Sequence, residues 1–151
     1  MIRLARPDEA ATLRAIVHDA YRHYVPRIGK PPGPMQDDYA ARIAAGQAWV
    51  REDGGRIMGL LVLEERDDAY LLDNIAVRRE GQGRGYGREL LRFAEDAARA
   101  AGFQAIVLYT HVLMVENQVL YRRLGYVETG RVTEKGFERV YMRKALAGPA
   151  A

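Results

Sequence analysis

Residues 70–88 read YLLDNIAVRREGQGRGYGR, and this stretch changes character halfway along its length. Its first eight residues are apolar except for Asp73 and Asn74. Such a run predicts a strand, 70–77, covered by helices on both faces. Glycines then occupy alternate positions, 83, 85 and 87. Behind them Leu90, Leu91, Ala94, Ala97, Ala98 and Ala101 fall on one side of a helix over residues 87–101, and Gly102 is placed to end it. Residues 105–110, AIVLYT, read as the next strand. Strand, glycine loop, helix and strand in this order make a right-handed crossover between parallel neighbours.

Upstream, residues 2–6 read as a short strand. Pro7 then suits a first helical position, with Asp8 and Glu9 in the first turn. Ala10, Leu13, Ile16, Val17, Ala20, Tyr21 and Tyr24 recur at helical spacing, which predicts an amphipathic helix over 8–24. Proline and glycine make 25–34 a loop, a candidate rim for a substrate, and a second helix follows over 35–45. Segments 48–52 and 56–64 flank Asp53-Gly54-Gly55, a hairpin signal. Downstream come a short helix, 115–124, closed by Gly125, and a last pair of strands, 126–131 and 137–143, around Glu134-Lys135-Gly136. The order β-α-α-β-β-β-α-β-α-β-β describes a mixed α/β domain around one sheet. We expect a single domain over 1–146 and a frayed tail at 147–151.

The chain has 151 residues, enough to bury a core without staples. No apolar run approaches a membrane span, and the first residues carry charge where a signal peptide needs an apolar stretch. A cytoplasmic protein is expected. The absence of cysteine removes disulfides, thiolate metal sites and a cysteine nucleophile together. No His/Asp/Glu grouping has metal-ligand spacing, so no metal is expected. Five arginines and two glutamates fall between Arg78 and Arg92, so the local excess equals the net charge of +3 for the whole chain. That excess sits on the glycine loop.

Gln82-Gly83-Arg84-Gly85-Tyr86-Gly87 lies between a strand and a helix start. Glycines let backbone N–H groups converge on an anion, and the helix end adds its positive pole. Arg84 and Arg88 can add charge-assisted bonds, so the loop suits a pyrophosphate. It is not a Walker A loop, because no Gly-Lys-Ser/Thr follows. Nor is it the dinucleotide fingerprint: counted from Gly83, the third glycine would be needed at 88, which is arginine, and 105–110 offers no acid to a ribose.

The loop resembles the Q/R-x-x-G-x-G/A element of the GNAT N-acetyltransferase superfamily, and Leu120-Tyr121-Arg122-Arg123-Leu124-Gly125-Tyr126 resembles that family's L-Y-x-x-L-G-F/Y element. The resemblance covers nearly the whole chain in element order and about 55 residues in motif detail. It implies a mostly antiparallel sheet of about seven strands with splayed central strands and about four flanking helices. It implies acetyl-CoA as co-substrate and direct attack by the primary amine of a small molecule or peptide in a ternary complex. Pantetheine would lie in the splay as a pseudo-strand. The backbone near Ile75, Ala76 and Val77 would hold the thioester and its arm, with Gln82, Gly83, Arg84, Gly85, Tyr86, Gly87 and Arg88 at the pyrophosphate. Tyr121 would be the general acid. Family members often carry an asparagine seven residues before this tyrosine. Met114 stands there, while Asn117, on the same helix face, can take its place at the cofactor.

The base is open. Asp73 shares strand parity with Ile75 and Val77, which aims it at the same gap, and His111 or water are alternatives. Glu116 reads as a solvent-side residue, and His18 and His23 as non-catalytic. Leu120 and Leu124, four apart, are expected to anchor their helix in the core. A non-catalytic acyl-CoA-binding domain stays open as an alternative. A basic nucleic-acid binder stays open too, although no stacking pattern or recognition motif is present and neither nucleic acid nor membrane is expected as a partner. The acceptor is not legible, and a homodimer is the family-level expectation.

Overall fold

A computed structural model describes residues 1–146; the tail expected to fray at 147–151 lies outside the described residues. The strands are β1 (Ile2–Leu4), β2 (Ala48–Asp53), β3 (Arg56–Glu65), β4 (Tyr70–Val77), β5 (Ala105–His111), β6 (Val127–Glu134) and β7 (Phe137–Ala145). They form one sheet in the order β1-β2-β3-β4-β5-β7-β6, in which only β4 and β5 are parallel. The helices are α1 (Ala10–Tyr21), α2 (Val25–Ile28), α3 (Tyr39–Ala44), α4 (Tyr86–Ala100) and α5 (Val115–Arg123). None is long and apolar enough to cross a membrane.

Period-two alternation along β3 explains why its run IMGLLVL is buried throughout. Leu60 and Val62 meet Leu13, Ile16 and Val17 of α1 and Tyr39 and Ile43 of α3. Leu61 and Leu63 belong to the second core with Leu90, Leu91, Ala94 and Ala98 of α4. Each fully buried leucine here contributes about 2 kcal/mol relative to exposure.

Several expectations are corrected. The long first helix is α1 extended by 3-10 turns at Pro7–Glu9 and Arg22–Tyr24. The loop over 25–34 contains the single turn α2, which has proline in its first turn and ends at Gly29 with φ 90°. α3 is shorter than the span 35–45; Asp38 starts it by accepting the Ala41 N–H at 3.1 Å. β4 is buried on both faces only at Tyr70, Leu71 and Leu72, after which Asp73, Ile75 and Val77 are half-buried. The reason is a bulge. Val62 pairs with Asn74 and Leu63 with Leu72, so Asp73 is the extra residue, and bulges bend and twist the strand that carries them.

Candidate active site

β4 and β5 pair at three positions, Tyr70 with Ile106, Leu71 with Val107 and Leu72 with Leu108. Beyond the bulge they part, and register decides which backbone groups face the gap. The Arg78 N–H donates to the Met58 carbonyl at 2.9 Å, and antiparallel pairs alternate between bonded and non-bonded. Asn74 and Ala76 therefore bond to β3, while Ile75 and Val77 turn N–H and C=O into the gap. The Tyr21 hydroxyl agrees with this, lying 3.0 Å from the Ile75 carbonyl and 3.0 Å from Asn74 Oδ1. Asn74 is itself buried and donates to the Tyr39 hydroxyl at 3.0 Å, which donates to the Pro34 carbonyl at 2.5 Å. The loop before α3 is thereby tied to the strand that opens.

A cleft of about 650 Å³ runs from this gap to the glycine loop. Ile75, Ala76, Val77, Gln82, Gly83, Gly85, Gly87, Arg88, Asn117 and Tyr121 line it. Gly83 and Gly85 have φ of 84° and 88°, a backbone region that penalises other residues. The amides of Gly83, Gly85, Tyr86, Gly87 and Arg88 have no protein acceptor among the described residues. These free donors at the start of α4 fit an anionic group with several oxygens. Two expected contributors are placed differently. Tyr86 buries its ring and donates to the Asp53 carboxylate at 2.5 Å. Arg84 is absent from the cleft wall, and its charge bears on Tyr86 and Asp53 instead. A phosphate at the loop would meet the amides of both residues and the guanidinium of Arg88.

Tyr121 joins the cleft to a waist of about 40 Å³ deeper in the gap, also walled by Asp73, Ile75, Tyr109 and Asn117. Its ring packs edge-on against Tyr126, and its hydroxyl has no hydrogen-bond partner among the described residues. Burial pushes this phenol well above its usual value, so it stays protonated. Tyr121 and Gln118 are the buried residues of α5; Gln118 donates to the His111 and Val112 carbonyls at 3.3 and 2.9 Å. Leu120, expected in the core, is 43% exposed and lines the cleft. Asn117 does face the cleft, where its amide reaches Met114 Sδ at 3.7 Å. Asp73 accepts from Arg42 Nη2 at 3.0 Å and from the Tyr109 hydroxyl at 2.8 Å. His111 is held low by burial, and its Nδ1 accepts the Leu113 N–H at 3.1 Å, so its acceptor nitrogen is already engaged. Glu116 is exposed and pairs with Arg27 at 2.7 Å. His23 stacks on Tyr24 at the cleft wall, with centroids 3.9 Å apart.

The family model described as "Acetyltransferase (GNAT) family" matches residues 11–126. The chain belongs to the GNAT family. It is 31% identical over 88 residues to N-acetyltransferase family 8 member 3 of Rattus norvegicus, covering 54% of this chain and 39% of that protein. It is 35% identical over 91 residues to probable N-acetyltransferase 14 of Xenopus tropicalis, covering 58% and 44%. This GNAT chain thus matches less than half the length of either relative. Among solved structures, paia N-acetyltransferase from Thermoplasma acidophilum in complex with coenzyme A superposes with a TM-score of 0.79 at 16% identity, covering 96% of this chain and 98% of that one. The likeness is one of fold. Tyr109, Arg42, Asn74 and Arg139 were missed as site residues in the sequence; each reaches the gap through register or through a distant element.

Proposed function

We propose that this GNAT chain transfers an acetyl group from acetyl-CoA to a primary amine by direct attack in a ternary complex. The observation that carries the reading is one continuous cleft that joins the unpaired loop amides, the gap-facing backbone of Ile75 and Val77, and the free hydroxyl of Tyr121. The Thermoplasma acidophilum neighbour of the same fold was solved in complex with coenzyme A, which supports acetyl-CoA as the co-substrate. The pyrophosphate rests on the loop at Gln82–Arg88, and pantetheine bonds along β4 as an added strand. The Ile75 N–H polarises the acetyl carbonyl as the amine nitrogen attacks its carbon. The C–N bond forms and the C–S bond breaks. Tyr121 donates to the departing sulfur, and the proton shed by the new amide nitrogen restores the balance. An ammonium first loses a proton through water to Asp73, which keeps lone pairs beyond its bonds to Arg42 and Tyr109. The missing cysteine is compatible with this scheme, because no acyl-enzyme is formed. The composition supports the cytoplasm as its setting, and a homodimer remains part of the proposal.

Release of free thiol from acetyl-CoA over a panel of amines, beside calorimetric CoA binding, tests the reading. Turnover with at least one amine is expected. Tight CoA binding with no turnover of any amine would instead support an acyl-CoA-binding domain.

A further inference from the structure

Past the waist, on the side away from the glycine loop, lies a second chamber of about 510 Å³. Its wall carries the carboxylates of Asp37, Glu64, Asp73 and Glu134 and the cations of Arg42, Arg66, Lys135 and Arg139, so its formal charge balances. The pairing is not symmetrical. Arg42 holds Asp37 at 2.9 Å, Glu64 at 3.2 Å and Asp73 at 3.0 Å, and Arg139 holds Glu134 at 3.1 Å. Every carboxylate therefore has a cationic partner, and Glu64 has a second one in Arg66 at 3.3 Å. The distal ammonium groups of a polyamine would have to compete with these arginines for the carboxylates.

Arg139 is the cation of the chamber wall that also reaches the waist. It lies on β7 opposite His111, beside the end of β5 where the gap opens. Its side chain is only 11% exposed. Its guanidinium lies over the Tyr109 ring, 4.3 Å from the centroid, and the Tyr109 hydroxyl in turn holds Asp73. Of its donors, Nη1 is used by Glu134 and the guanidinium also interacts with the Tyr141 hydroxyl, while neither Nε nor Nη2 donates to a carboxylate among the described residues. Those two atoms form the edge of the fork that grips a carboxylate through two parallel bonds. Gly33 keeps room beside it, since a Cβ there would sit 3.4 Å from Nη2.

Resting on the acetyltransferase reading of the cleft, we propose that the acceptor is an amine bearing its own carboxylate, in the manner of an α-amino acid, with that carboxylate on Nε and Nη2 of Arg139. The amine of such a molecule is then held at the waist, beside Asp73 and Ile75. Lys135 and Arg66 at the chamber wall add attraction for the anionic end.

Matched acceptors test this: α-amino acids with small, acidic and large apolar side chains, each beside its primary amide and its decarboxylated amine, with a polyamine as the counter-example. The acid form should exceed its amide by about tenfold or more in kcat/KM, because an unmet buried donor penalises the analogue that lacks the partner. Arg139→Gln should raise KM for the acid by about tenfold, more than it lowers kcat, and erase the preference. Arg139→Lys should restore part of it through charge without the fork. Glu134→Gln breaks the same ion pair but keeps the guanidinium, so its preference should survive; loss of preference there too would make Arg139 a packing residue. A wild-type enzyme that turns over amides or polyamines as well as acids overturns the proposal. If no acceptor turns over, calorimetric binding of the same triplets to the CoA-loaded protein decides, and absence of an acid preference overturns it. CoA binding without acid preference leaves the acetyltransferase reading standing, whereas failure to bind CoA removes both.

Discussion

The ring of Tyr121 belongs to the core and its hydroxyl to the cleft, which separates two effects that one residue usually mixes. Tyr121→Phe removes only an oxygen with no protein partner, so Tm should hold and CoA affinity should stay within about twofold. Turnover should fall by about 10²-fold, the lower end for general acid catalysis, because a thiolate leaves readily. Full turnover in the Phe variant would make Tyr121 a packing residue. Burial raises its phenol, so no alkaline loss of activity from Tyr121 is expected below about pH 10. Asp73→Asn should lower turnover by about tenfold or more while CoA affinity holds, and Arg42 keeps Asp37 and Glu64 as partners. Unchanged turnover in steady-state kinetics would leave water alone as the acceptor. Tyr121, Ile75, Val77 and the loop were legible in the sequence because each belongs to a contiguous motif. Tyr109 and Arg139 were not, because their meeting needs β7 beside β5 with β6 outermost, an order the chain does not spell out. Arg84 shows the opposite failure, since a motif gives a residue's place and not where its side chain turns.

Helix α4 and the loop before it were read almost to the residue, because apolar spacing and Gly102 mark the helix locally. Of the two leucines spaced by four, Leu124 packs against the core as expected and Leu120 does not, because such spacing describes a face and not what covers it. Tyr121 and Gln118 hold that helix, and Leu120 is left at the rim of the cleft. The two loop glycines lining the cleft at the head of α4 differ in the same way. Gly85 has φ 88° at the helix N-cap, so any side chain there is strained by about 1–2 kcal/mol and binding loss becomes hard to separate from unfolding. Gly87 has no positive φ, and a Cβ on it meets no atom within 4 Å, yet it lines the cleft. Gly87→Val should therefore fold with unchanged or slightly raised Tm, since glycine is the poorer helix former. It should also lose CoA affinity by 100-fold or more, about 3 kcal/mol, because the branched side chain stands where the loop amides meet the phosphates. Calorimetry beside thermal melts measures both. Retained CoA affinity in the folded variant would move the pyrophosphate off this loop.

Across the whole molecule, segments far apart in sequence are held by arginine–carboxylate pairs, and this makes stability depend on pH in a calculable direction. Arg3 of β1 reaches Glu9 at 2.8 Å and Glu52 of β2 at 3.4 Å, which fastens the chain entry to the edge of the sheet. The bond from Arg3 holds the Glu9 carboxyl down at about 2, against an ordinary value of 4.5. The Tyr141 hydroxyl, followed by Arg139, likewise holds Glu134 below the usual carboxylate range. A carboxyl depressed in the folded state binds its proton more readily when unfolded. Its contribution is thus complete above the unfolded value and is lost as pH falls through the folded one. For Glu9 that window runs from about 4.5 down to about 2. Tm should fall steadily as the solution is taken from pH 6 to pH 3. Glu9→Gln keeps the size of the side chain and removes the titration, so it should cost on the order of 1 kcal/mol at pH 7 once solvent screening near the surface is allowed for. The difference from wild type should shrink as pH drops through that window, because the wild-type carboxyl is then being neutralised too. Urea melts of both proteins at several pH values give the two curves. Parallel curves would mean that Glu9 acts only by packing, and that acid sensitivity arises in the pairs around Arg42 and Arg139 instead.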